Sequence, residues 1–257
     1  MRKYIVAIML AFAMLTSCVI DEGDNRKPID IGEYVASMVL SSYKYDVVEN
    51  VALALVADWY LSTGDEAIHH NYLDGYQVEN SEGVVTVIRT FNHSTPRTIA
   101  SFSTNGILLS DGGLWVMNGY VGIAITIASK GDGRYLYTIT SDDGVLEYNI
   151  DVELLSRDVK DGLRFNMDGD IYFEASRGNP SDQRAIVSSE IKTPIEIYIT
   201  GSQDCRFLSG SASVVCENPA YGTVDRVEMS FSRPGVCEVT YLDYFGEVRV
   251  GSDWLSR

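Results

Sequence analysis

From Val145 to Leu154 the chain reads VLEYNIDVEL, and the alternation in that stretch leaves few folds open. Leu146, Tyr148, Ile150, Val152 and Leu154 fall on one side of an extended chain; Glu147, Asn149, Asp151 and Glu153 fall on the other. Successive side chains of a strand point to opposite faces, so this is a strand buried on one face only. PIEIYIT repeats the pattern with Ile195, Ile197 and Ile199, and RVEMSFS repeats it with Val227, Met229 and Phe231. Further strands are predicted at 84–91, 97–104, 120–128, 134–141, 163–167, 170–176, 185–191, 211–217, 236–242 and 246–250.

The breaks between these runs are short and rich in glycine: Asn105-Gly106, Asp111-Gly112-Gly113, Gly131-Asp132-Gly133, Asp143-Gly144 and Asp168-Gly169. Gly, Asn and Asp tolerate positive φ and suit tight hairpins. Parallel crossovers need roughly a dozen residues or more, which such breaks do not supply. The expected fold is all-β, an antiparallel meander forming a sandwich or an open barrel. SRGNPSDQR, 176–184, is the longest polar connection and the place where two sheets would divide.

Residues 30–63 have a different period. Asp30-x-x-Glu33 and Asp46-x-x-Glu49 have the form of capping boxes at helix starts. Ile31, Tyr34, Val35, Met38 and Val39 follow the first at helical spacing. Val48, Val51, Ala52, Leu55, Val56, Trp59 and Tyr60 make one apolar face behind the second, and Thr63-Gly64 supplies a stop. Two short helices or one long kinked helix are expected, packed on the sheet. The organisation is then 1–17, a signal segment; 18–29, a tether; 30–63, the helical segment; and 64–257, the β region.

The first eighteen residues carry the plainest signal. Arg2 and Lys3 precede an uncharged run from Tyr4 to Leu15, and Thr16 and Ser17 lead to Cys18. A charged start, a short apolar core and small residues describe a secretory signal peptide. The apolar run is about twelve residues, short of the roughly 20 that span a bilayer. Leu15-Thr16-Ser17-Cys18 resembles the lipobox of bacterial lipoproteins. That resemblance implies cleavage before Cys18, a diacylglyceryl group on its thiol and acylation, such as palmitate, on the new amine. Two or more acyl chains give stable anchoring. Val19 stands where an Asp commonly retains such proteins at the inner membrane of Gram-negative cells, so the resemblance implies the outer membrane. Asp21, Glu22 and Asp24 look like the acidic tag that sends some lipoproteins to the cell surface, and they equally suit a solvated tether.

Charge narrows the partners. The chain has 20 basic and 36 acidic residues, a net charge of −16; without Arg2 and Lys3 it is −18. Nucleic-acid binding depends on Lys and Arg at phosphates, so nucleic acid is not an expected partner. The membrane is reached through lipid at Cys18 rather than through a basic surface. Beyond it, a glycan or an envelope protein is the expected partner.

Motifs for chemistry are sparse. Cys205, Cys216 and Cys237 remain after Cys18, in a compartment that permits disulfides. A turn at Ser209-Gly210 would set Cys205 opposite Cys216 on neighbouring strands and leave Cys237 a buried thiol; all three can also be plain buried hydrophobes. No CxxC occurs, and the three histidines lie far upstream, so no metal site and no cofactor are expected. Aligning Gly169 with the sixth place of a calcium loop fits Asn166 and Asp168 but puts Arg164 first and Ala175 last. No G-x-S-x-G, P-loop or GxGxxG is present, and no catalytic residue stands out. Trp115 and Tyr120 in GGLWVMNGY are candidates for stacking on sugar rings. The expected function is a non-catalytic, lipid-anchored β domain that binds a partner or polysaccharide. A hydrolase using a carboxylate pair and a subunit of a surface assembly are the alternatives.

Overall fold

The structure, a computed structural model, describes residues 31–81, 84–89, 103–118, 120–175, 185–201, 205–217, 226–242 and 248–251. Leu15, Thr16, Ser17 and Cys18 lie outside the described residues, as do most of the expected strand 97–104 and the connection 176–184.

Helix α1 (Ile31–Ser41), a π-helical turn (Ser42–Val48) and helix α2 (Glu49–Thr63) run on without a break as one rod. The helix start expected at Asp46 does not form, because Asp46 lies inside the π turn. The Glu49 N–H there reaches back five residues to the Lys44 carbonyl, the π spacing. Gly64 ends α2 in the left-handed region at φ 66°, its N–H bonded to the Tyr60 carbonyl at 2.7 Å. A short helix α3 (Glu66–Tyr72) follows, inside the stretch expected to be sheet; Asp65 caps it by accepting the Ala67 N–H at 2.9 Å.

All described strands join one antiparallel sheet in chain order: β1 (Tyr76–Ser81), β2 (Val84–Arg89), β3 (Ser103–Gly106), β4 (Leu114–Asn118), β5 (Ile123–Gly131), β6 (Arg134–Ser141), β7 (Leu146–Asp158), β8 (Gly162–Ala175), β9 (Ala185–Ile199), β10 (Cys205–Glu217), β11 (Val227–Arg233), β12 (Val236–Leu242) and β13 (Val248–Gly251). The sheet is open and, among the described residues, single: the antiparallel meander expected, with its helical segment at the N-terminal side. Strands β8 and β9 pair with each other, and 176–184 therefore joins neighbours instead of dividing two sheets.

Two expected turns are bulges within long strands. Asp168-Gly169 lies in the middle of β8, where pairing to β9 jumps from Met167↔Ile195 to Asp170↔Glu190. Gly169 has φ 131°, and a Cβ there would lie 2.1 Å from the Asn149 carbonyl oxygen. Ser209-Gly210 is a bulge in β10; Gly210 has φ 116° and faces Pro194 and Ile195 of β9. Asn105-Gly106 belongs to β3, and the reversal to β4 comes at the 3₁₀ turn Leu109–Asp111 and Gly112. The irregularities of β8, β9 and β10 lie side by side. Bulges bend a strand and increase its twist, so a line of them turns the sheet around the rod.

The rod is the centre of the core. In α2, Leu53, Ala54, Leu55, Val56, Ala57, Asp58 and Trp59 are all buried, which covers every side of the helix. The sequence there, VALALVADWY, has almost no polar face, and a helix apolar all round belongs inside. The apolar face expected from periodicity is therefore only part of its buried surface. Helix α1 packs on β9 to β12, and the rod then passes over β6 and β7. The sheet's inner face supplies Tyr148, Ile150, Phe165, Ile197, Phe207, Met229 and Val239, all buried; Glu147, Asn149, Asp151 and Glu153 face water.

Candidate functional site

The π turn places one carboxyl against the sheet. Tyr148 on β7 donates its hydroxyl to Asp46 Oδ2 at 3.2 Å. The Asp46 carbonyl oxygen accepts from Asn50 Nδ2 at 2.7 Å and from the Tyr137 hydroxyl on β6, and Asn50 Nδ2 also lies 3.1 Å from that hydroxyl oxygen. A π turn breaks the regular i to i+4 ladder, and two side chains engage the Asp46 carbonyl here. Ser42, Asp46 and Asn50 stand four residues apart, a polar stripe on an otherwise apolar rod. That spacing is the sequence signal for the site, which the reading of Asp46 as a helix cap passes over.

Beside this network lies a pocket of about 50 Å³, lined by Tyr45, Asp46, Asn50, Tyr120 and Tyr148 and floored by aliphatic side chains of β5 and β6. Tyr45 is 48% exposed at its rim. Burial raises the Asp46 carboxyl to about 6, with the Tyr148 and Ser42 hydroxyls acting the other way and the charge of Glu49 adding to the rise. Burial, then the charge of Asp46, holds the Tyr148 hydroxyl well above its usual range. Tyr120 is raised by burial and by Asp46 and Glu49. Near neutral pH these groups present one carboxylate, hydroxyl donors and apolar walls.

A second buried carboxyl has a structural task. Asp58 on α2 is 1% exposed. It accepts the Ser110 N–H at 3.1 Å and the Ser110 hydroxyl at 3.4 Å, and Arg157 Nη1 lies 3.8 Å from it. It ties the rod to the 3₁₀ turn and to β7, and its lone pairs are used in that task.

The structure separates the residues that sequence singled out. Trp115 is 0% exposed on the inner face of β4, packed on Gly106, so it cannot stack on a ligand. Its parity along the strand puts it inward with Met117. Tyr120 does line the pocket. Cys205 and Cys216 occupy the two ends of β10, which runs through the glycine that would have turned it. Eleven residues of extended chain span roughly 35 Å, far beyond a disulfide. No disulfide joins Cys205, Cys216 and Cys237 among the described residues, and Cys237 is buried. Among the described residues no group of three or more His, Cys, Asp or Glu could hold a metal ion.

Comparison with models of protein families, with curated proteins and with solved structures returns no match.

Proposed function

We propose that the chain is a lipoprotein of the Gram-negative cell envelope, anchored in the outer membrane through lipid on Cys18, whose β domain binds rather than reacts. The observation that carries the anchor is Leu15-Thr16-Ser17-Cys18 at the end of an uncharged run, with the acidic Asp21, Glu22 and Asp24 directly after it. The ligand site is the pocket at Asp46. It is small against the roughly 300–1,000 Å³ of sites that enclose a whole ligand, so it receives a protruding group of an envelope partner or polysaccharide.

Metabolic labelling with a radioactive fatty acid tests the anchor. The wild-type chain takes up label and fractionates with membranes; Cys18→Ala does neither and accumulates as the uncleaved precursor. Label retained in the variant would overturn the proposal.

One observation favours a second reading, a carboxylate hydrolase. A carboxyl held up to about 6 has the value suited to a general acid near neutral pH. That reading needs a second carboxylate about 5–10 Å away across a bound substrate.

A further inference from the structure

We propose that the pocket at Asp46 receives an ammonium group carried on an alkyl chain. The inference deepens the reading of this pocket as the ligand site and rests on it. Its first support is the state of the carboxyl. The partners that the structure gives the Asp46 carboxyl are the hydroxyls of Tyr148 and Ser42, and among the described residues no cation adds to its environment. Hydroxyls satisfy lone pairs but leave the charge, and Glu49 adds a second negative charge nearby. A part-buried carboxylate without a counter-charge is costly, and a cation seated beside it offsets that cost.

The walls give the second support. Tyr45, Tyr120 and Tyr148 border the same space, and aromatic faces attract cations. One of these rings already does so within the chain: Lys44 Nζ sits 5.1 Å from the centroid of Tyr45. That lysine lies over the ring of the rim residue Tyr45 and is not itself part of the pocket lining. Ile125 and Ile139 supply an apolar bed for the carbon chain. The volume of about 50 Å³ matches a head group with its first carbons and excludes a sugar ring. An anion would meet the Asp46 carboxylate with the charge of Glu49 behind it, and a neutral hydroxyl would leave the carboxylate uncompensated.

Calorimetric titration of the full-length purified chain at constant ionic strength tests this, with n-butylammonium as probe and n-butanol as its neutral counterpart. Saturable binding of the amine is expected, at least about tenfold tighter than the alcohol, and weakened at least about tenfold by Asp46→Asn. Tyr120→Leu, which keeps the carboxyl, should weaken the amine by about threefold or more. In the wild type, affinity should fall as pH drops from about 7.5 to about 5, because a protonated Asp46 offers no charge. Circular dichroism confirms that each variant is folded, and the wild-type pH profile stands even where a variant is not. Lysine ethyl ester, run alongside, should bind in an Asp46-dependent way, and glucosamine, whose ammonium is attached to the ring itself, should not; glucosamine bound as tightly as butylammonium would overturn the alkyl-chain requirement. Equal binding of butanol and butylammonium would overturn the ammonium specificity and leave the pocket a ligand site. No saturable binding of any probe would overturn both.

Discussion

At the scale of single residues, the chain sets two buried acids to opposite uses. Asp58 is matched by the Ser110 N–H and by Arg157, so its charge is answered inside the fold. Among the described residues the Asp46 carboxyl is answered by hydroxyls, and it rises to about 6. The consequence for stability follows from proton counts. Between the ordinary carboxyl value near 4 and about 6 the folded chain holds a proton at Asp46 that the unfolded chain has released, so stability falls as pH rises through that window. Asp46→Asn removes the titration. The variant should gain up to about 3 kcal/mol at neutral pH, less whatever the amide loses in hydrogen bonding, and its urea midpoint should lose the wild type's decline between about pH 4 and 6. A variant whose decline matches the wild type would show that Asp46 is not the group responsible.

At the scale of elements, the long strands depend on glycines that look like turns. Gly169 and Gly210 have φ of 131° and 116°, and each lies against the backbone of a neighbouring strand. Gly169→Ala must displace the Asn149 carbonyl or break the pairing of β7 with β8. Gly210→Ala meets Pro194 and Ile195 in the same way. Each should cost about 2–4 kcal/mol in urea denaturation, whereas Gly144→Asn, at φ 73° with open space around it, should cost under about 1 kcal/mol. The same glycines mark how far the sequence could be read. Alternation located the hairpins at Gly131-Asp132-Gly133 and Asp143-Gly144, because those turns need only local chemistry. It divided β8 at Gly169 and placed a turn in β10 at Gly210, because a bulge and a turn ask the same φ freedom of a glycine and only pairing with neighbours distinguishes them. The expected Cys205–Cys216 bridge failed for that one reason. The π turn carries no local signal either; Asp46-x-x-Glu49 has the letters of a cap, and contacts from β6 and β7 decide its role. The strand that holds Trp115 was not legible, nor was its inward direction, since it is short and its neighbours Leu114, Val116 and Met117 are apolar on both sides.

At the scale of the whole molecule, the proposed account joins a lipid-bearing Cys18 and an acidic stretch after it to a sheet turned around a helical rod. The described rod begins at Ile31, about a dozen residues after Cys18, so on the proposed anchoring the domain that carries the Asp46 pocket would stay near the membrane. The outer face of β7 shows Glu147, Asp151 and Glu153 to water, in a chain of net charge −16. Lys130 and Arg134 pair with Asp151 and Glu153 there, and on the proposed anchoring the net negative charge of the chain would be repelled by anionic headgroups. None of the described helices is long and apolar enough to cross a membrane; the proposed attachment is lipid on Cys18. Intact-mass spectrometry of the protein extracted from cell membranes tests this most directly. The account predicts a mass lacking residues 1–17 and increased by a diacylglyceryl group and an acyl chain, with the modified peptide beginning at Cys18. A membrane-extracted chain that keeps Met1, or that begins elsewhere with an unmodified Cys18, would contradict it.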